Sequence, residues 1–376
     1  MQFTYHLPVN LIFGRGSVQK IGEIAAGWGK KALIVTGRHS TKKSGLLDRT
    51  VSLLRGAGVE SEVFDRVSSN PLTTTVEEGA AAARKAGCDV VVGLGGGSMM
   101  DAAKAIAFSL RNPGDLNDYI FGRKQGTDAL PILLVPTTCG TGSEGNGFAV
   151  LTNPETKDKK SLRTNLIVAK ASIVDPELMV TLPKKMLASV GFDALAHCME
   201  AYVSKAAQPL TDVMAHEGIR LIAAFLKRAW DDAGDMDAWE GLSLASTIGG
   251  MVIGVVGVGV PHGMEHPASG LRNIVHGTGL AALTPEVVRR SSASAPEKYG
   301  EISRLLGGRG AADCADRIEA LLDGIGLHVT LGEQGVRRED VAWMTENCMR
   351  VAAANFKNHP VQFSKDEIAN IYLSCI

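Results

Sequence analysis

Five side chains in two short windows have the types and the spacing to hold a metal ion. Asp193 and His197 lie four residues apart in a helical context, Gly191–His197. That spacing sets a carboxylate and an imidazole on one helix face, one turn apart. His262 and His266 repeat the spacing, and His276-Gly277 follows ten residues after His266. One acid and up to four imidazoles form a borderline N/O set that suits Zn²⁺ or Fe²⁺ better than Ca²⁺ or Mg²⁺. Against this stands the ordinary histidine, a hydrogen-bonded core or surface residue, and that reading is given to His6, His39, His216, His328 and His359. Asp193 alone would equally serve as a helix cap or a solvated acid. Four of nine histidines gathered beside glycines and apolar neighbours favour the metal.

A second chemistry is written in two glycine-rich loops. Gly95-Gly96-Gly97-Ser98 follows an apolar strand-like run and precedes a helical one, with Asp101 three residues on. Glycines let the backbone approach a phosphate without a Cβ in the way, and amides at a helix N-terminus point at the anion. The plainer reading is a tight turn in which Ser98 and Asp101 only cap a helix. The pattern is neither G-x-G-x-x-G nor a Walker A loop. Pro136-Thr137-Thr138-Cys139-Gly140-Thr141-Gly142-Ser143-Glu144 follows another apolar run and offers hydroxyls and glycines at the same sheet edge. Open α/β sheets bind ligands at that C-terminal edge.

The elements that must carry these residues fall into two textures. Apolar runs at 31–36, 59–64, 89–94 and 131–136 read as strands, alternating with helical patterns at 45–56, 73–86 and 98–110. Such alternation implies a parallel sheet covered by helices on both faces. After about Thr181 the pattern is almost wholly helical, the glycine-rich stretch Ile248–Val260 excepted, which reads as a buried helix or strand. The expectation is an α/β dinucleotide-binding domain over 1–182 and an all-α domain over 183–376, with a cleft between them. A chain of 376 residues suits two such domains.

Bulk properties exclude several partners. With 39 Lys and Arg against 40 Asp and Glu the net charge is −1, so neither nucleic acid nor an anionic membrane is expected as partner. The six cysteines contain no C-x-x-C pair and read as reduced thiols, not as a disulfide framework. The N-terminus is too polar for a signal peptide, and Ile248–Val260 is too short for a membrane span. A cytoplasmic protein is expected.

Taken together, these residues resemble the iron-containing (group III) alcohol dehydrogenase family nearly end to end. The match runs through Phe13-Gly14-x-Gly16, Gly95–Asp101 with Ala103-Lys104, Pro136–Glu144, Asp175-Pro176-Glu177-Leu178, Gly191–His197 and His262–Gly277. The resemblance implies a dehydroquinate synthase-like architecture with 183–376 as the metal- and substrate-binding domain, a homodimer with the Phe3–Phe13 segment as a contact, and hydride transfer between a small alcohol or aldehyde and a nicotinamide. It implies Fe²⁺ (or Zn²⁺) on Asp193, His197, His262 and His276, with His266 moved to the reacting side as proton relay or substrate-orienting residue. It places the pyrophosphate on Gly96, Gly97 and Ser98 beside Asp101. Thr137, Thr138 and Thr141 approach the nicotinamide half, Lys159 or Lys160 reaches the cofactor, and Leu178 lines the adenosine pocket.

One departure bears on the cofactor. Where NAD-selecting relatives carry an acid after the first strand, this chain has Gly37-Arg38-His39-Ser40. Without the acid, repulsion of a 2′-phosphate is gone, and Arg38 and Ser40 would bind one. NADP(H) is expected, with NAD(H) as the alternative. The substrate cleft is expected to be lined by Phe148, Met251 and Leu271, suiting a fairly apolar substrate. Rival readings are a polyol (glycerol-type) dehydrogenase, a metal-free maleylacetate reductase-like enzyme, and a nucleotide- or metal-binding sensor without turnover.

Overall fold

The computed structural model describes residues 2–376. Its strands are β1 (Leu11–Phe13), β2 (Lys31–Gly37), β3 (Glu60–Val67), β4 (Val90–Gly95), β5 (Ile132–Pro136), β6 (Phe148–Thr152), β7 (Lys159–Arg163) and β8 (Ala171–Val174). Six of them form one all-parallel sheet in the order β1-β8-β5-β4-β2-β3, and β6 and β7 make a separate antiparallel hairpin. Alternation along the central strands feeds two cores. Leu33, Val35 and Val91 pack into the layer on one face, and Ala32, Ile34, Val90 and Val92 into the layer on the other. A strand buried on both faces reads as a continuous apolar run, which is why β2, β4 and β5 were legible.

The sequence predicts four strands, and the described residues hold eight. β1 and β8 are three and four residues long, too short to show a period. β7, Lys-Lys-Ser-Leu-Arg, carries charge at three of five positions and has no strand-like composition. β3 runs to Val67, beyond the predicted apolar run, because an edge strand needs no continuous apolar pattern.

The last strand ends at Val174, and from Lys184 onward the chain is helical. Helices Lys184–Val203, Pro209–Asp231 and Met236–Val256 pack around a core that includes Phe192 and Trp239. The stretch at Ile248–Val260 joins the end of this third helix to the next one, Val260–Arg272. Met236–Val256 has the length and apolar character to cross a membrane, but 67% of its apolar window is buried within the fold, so it serves as a core helix.

His359 is one of the histidines assigned to the core, and it lies buried with Nε2 2.8 Å from the Ser291 hydroxyl. Burial pushes its pKa down to about 4. The unfolded chain therefore takes up a proton, near an ordinary value of about 6.5, that the folded protein refuses. Between those two values the unfolded state binds more protons, so stability falls as pH falls. Lowering the pH from about 6.5 to about 5 should remove about 2 kcal/mol of unfolding free energy through this residue. Urea titrations of His359→Gln at both pH values should show that acid sensitivity diminished. Undiminished sensitivity would contradict the assignment.

Candidate metal and dinucleotide site

Asp193 and His197 sit one turn apart in the middle of helix Lys184–Val203. His262 enters on the first turn of Val260–Arg272, and His276 is the first residue of His276–Ser291. Three helices thus converge on one carboxylate oxygen. Asp193 Oδ1 lies 3.6 Å from His197 Nε2, 3.5 Å from His262 Nε2 and 3.6 Å from His276 Nε2. These separations are too long for hydrogen bonds. They match two ligands held tetrahedrally at about 2.1 Å from a shared ion, which lie roughly 3.4 Å apart. Asp193 Oδ1 and His262 Nε2 are both buried and have no hydrogen-bond partner. Orphaned buried groups of this kind are costly unless something binds them, and the donor set fits a divalent transition metal.

Two acids that the sequence reading passed over aim the imidazoles. Glu200 accepts a 2.6 Å hydrogen bond from His262 Nδ1 and another of 2.6 Å from the Gly259 amide. Glu265 is bonded to His276 Nδ1 and lies 3.4 Å from Lys159 Nζ. Each carboxylate occupies the outer ring nitrogen and so turns Nε2 inward, the arrangement that orients histidine ligands at metal centres. Their signal was position: Glu200 is three residues after His197, and Glu265 three after His262.

The electrostatics follow from this packing. Burial alone would raise the Asp193 carboxyl, yet His197 and His276 beside it hold it well below the usual carboxylate range. Burial pushes His197 down to about 4. Burial also opposes charge on His262, but the neighbouring Glu200 and Asp193 raise it to about 10. His266 lines the same cavity, its ring 5.7 Å from that of His276, and burial holds its pKa well below the normal histidine value.

A groove of about 740 Å³ leads from this cluster across the C-terminal ends of β5, β4 and β2. Gly96, Gly97, Ser98, Thr137, Thr138 and Thr141 line it together with Asp193, His276, Ser40 and Leu178. Gly97 opens helix Gly97–Ser109, and a Cβ there would come within 2.4 Å of Thr141. Only glycine lets these two loops close on each other.

Other expected cofactor residues are placed differently. Arg38 is exposed and not part of the groove wall, whereas Arg49 is. Gly37 is buried at the end of β2. Both oxygens of Asp101 are taken, by the Ser143 hydroxyl at 2.6 Å and the Val150 amide at 2.9 Å, so it clamps the threonine loop and the hairpin to the helix. Lys104 completes that clamp, donating to the carbonyls of Ser143 and Phe148, and burial lowers its pKa to about 8. Lys159 reaches the site through Asn70, 3.0 Å away, and Glu265. Lys160 turns away onto the Val351 carbonyl at 2.7 Å. Behind the histidines lies an inner cavity of about 120 Å³. Its apolar wall comes from Phe148, Val150, Ile253 and Val258, while Met251 and Leu271 stand outside it.

Known proteins share this sequence and fold. Residues 8–176 match the family described as iron-containing alcohol dehydrogenase, and residues 187–376 match the C-terminal part of the Fe-containing alcohol dehydrogenase family. The chain is 37% identical over 381 residues to 1,3-propanediol dehydrogenase of Klebsiella pneumoniae, covering 98% of each. It is 31% identical to the NADPH-dependent butanol dehydrogenase of Clostridium saccharobutylicum, covering 99% of this chain and 97% of that one. The crystal structure of NADH-dependent butanol dehydrogenase A from Thermotoga maritima superposes with a TM-score of 0.92 at 30% identity, over 100% of this chain and 98% of that one. With both halves matched and the parallel sheet and helical half shared, the chain belongs to the iron-containing alcohol dehydrogenase family, a family of oxidoreductases.

Proposed function

We propose that this protein reduces small aldehydes, or oxidises the corresponding primary alcohols, with a nicotinamide cofactor and a divalent metal, Fe²⁺ or Zn²⁺. The observation that carries this reading is the unpartnered Asp193 Oδ1, set 3.5 to 3.6 Å from three imidazole nitrogens at the end of a dinucleotide-sized groove. Asp193, His197, His262 and His276 would hold the ion. A bound divalent ion supplies Lewis acidity toward the substrate oxygen. Glu200 and Glu265 keep the imidazoles oriented. Gly96, Gly97 and Ser98 hold the pyrophosphate at a helix N-terminus, and Thr137, Thr138 and Thr141 orient the nicotinamide half beside the cluster. Neutral His266 exchanges the proton of the substrate hydroxyl, and Lys159 buttresses His276 through Glu265. The division of labour is a cofactor domain over 1–182 and a metal and substrate domain over 183–376, with a homodimer as the working form. Exposed Phe3 and Phe13 support the N-terminal segment as its contact.

NADP(H) is the preferred cofactor in this reading. The groove end farthest from the histidines takes the adenosine, beside Leu178, and no acid stands at Gly37 to repel a 2′-phosphate. Ser40 and Arg49 both line the groove and Arg38 does not, which supports Ser40 and replaces Arg38 by Arg49. The test is steady-state kinetics on protein loaded anaerobically with Fe²⁺, across a panel of aldehydes. Aldehyde-dependent NADPH oxidation is expected, with kcat/KM for NADPH above that for NADH. No consumption of either nucleotide would overturn the activity, and NADH at or above NADPH would overturn the cofactor assignment.

A further inference from the structure

The inner cavity is walled on one side by the β6–β7 hairpin. In its antiparallel register Phe148 faces Arg163, Val150 faces Ser161 and Thr152 faces Lys159. Alternate residues of a strand share a face. Lys159, Ser161 and Arg163 therefore form a row, and all three line the cavity. The row starts at the histidine cluster, where Lys159 Nζ is 3.4 Å from His276 Nδ1. It ends four residues on, roughly 13 Å along the strand, at Arg163.

The two cations of this row differ in their partners. Lys159 is paired with Glu265 at 3.4 Å. Arg163 is an exposed residue that also lines the cavity; its guanidinium lies over the Phe148 ring, 4.6 Å from its centre, and makes no hydrogen bond or ion pair among the described residues. Between them Ser161 is 8% exposed, and its hydroxyl oxygen is buried with no partner. A buried hydroxyl is rarely left unsatisfied in a folded protein, and one aimed into a cavity beside an unpaired guanidinium has the makings of an anion contact. Ile253 and Val258 add apolar wall, and Asp101, which also lines the cavity, has both oxygens taken by the Ser143 hydroxyl and the Val150 amide.

We propose that Ser161 and Arg163 form a carboxylate subsite, and that the preferred substrate is a short aldehyde or alcohol with a terminal carboxylate. The guanidinium takes the carboxylate through paired N–H donors, the Ser161 hydroxyl donates to it, the apolar wall packs on the methylenes, and the reacting carbon lies at the histidine end. The inference rests on the dehydrogenase reading above and narrows its substrate class.

The test compares succinate semialdehyde with butanal on the Fe²⁺-loaded enzyme with NADPH, in wild type, Arg163→Met and Ser161→Ala. The wild-type ratio of kcat/KM, acid over neutral, should exceed one by roughly 10- to 100-fold, as expected of a charge-assisted contact. That ratio should collapse in Arg163→Met and fall partway in Ser161→Ala. Butanal used as well as the semialdehyde by wild type, or a ratio unmoved by Arg163→Met, overturns the subsite and leaves the dehydrogenase reading standing. Should neither aldehyde be reduced, that reading fails, and calorimetry on metal-free protein still decides the subsite. γ-Hydroxybutyrate should then bind wild type at least roughly tenfold tighter than Arg163→Met. Equal binding overturns the proposal.

Discussion

Asp193→Ala should lower kcat/KM for aldehyde reduction by roughly a thousandfold and leave the purified protein without stoichiometric metal. The size follows from two considerations. Lewis-acid stabilisation of a developing oxyanion is worth several kcal/mol, and about 4 kcal/mol corresponds to a factor of about a thousand in rate. Asp193 is also the one carboxylate among the four proposed ligands, and its Oδ1 is the atom common to all three imidazole contacts. A folding defect is not expected to mimic this outcome. In metal-free protein Asp193 also faces the imidazole of His262, whose pKa is raised, so the metal-free variant should melt lower than metal-free wild type but still in one cooperative transition. Metal analysis and thermal melts therefore separate the two explanations. Full metal content with kcat/KM within about tenfold of wild type would remove Asp193 from the centre.

Gly250→Ala should be the most damaging single methyl added to the fold. Helix Met236–Val256 presses its Gly250 onto the threonine loop so closely that a Cβ would lie 1.8 Å from the Gly142 carbonyl oxygen and 2.4 Å from its carbon. The obstacle is backbone on both sides, so no side chain can rotate away. Overpacking of this kind costs about 3 kcal/mol or more. The same clash would push out the loop carrying Thr137, Thr138 and Thr141, all of which line the groove. The variant should melt several degrees lower and bind NADPH more weakly, and calorimetry of both properties checks it. Wild-type stability would show that helix and loop are free to move apart.

The candidate site was legible unevenly, and the pattern of success has a cause. Asp193 with His197, and His262 with His266, announce themselves because helical spacing of four places paired groups on one face regardless of the fold around them. The glycine loops were readable for a similar reason, since a strand-to-helix junction and its amides are local features. Glu200 and Glu265 share the three-residue spacing after His197 and His262, but that spacing does not say which ring nitrogen a buried acid will touch, and only the fold does. Asp101 misled for the complementary reason. It stands beside the phosphate loop in sequence, but its two oxygens are used up by Ser143 and Val150, 42 and 49 residues away.

By itself the chain of residues determined the class of the N-terminal half, the helical character of the C-terminal half, and the short-range pairs that carry metal and phosphate chemistry. All of these rest on periodicities of a few residues. The tertiary structure alone decided that three helices meet on one oxygen of Asp193. It also set Lys159 and not Lys160 beside the histidines and Arg49 and not Arg38 in the groove wall, and turned an unremarkable charged segment into hairpin β6–β7 with Ser161 and Arg163 lining the inner cavity. Neighbouring residues on a strand point to opposite faces, so which of two adjacent lysines reaches a site depends on register, and register is set by the partner strand and the packing around it.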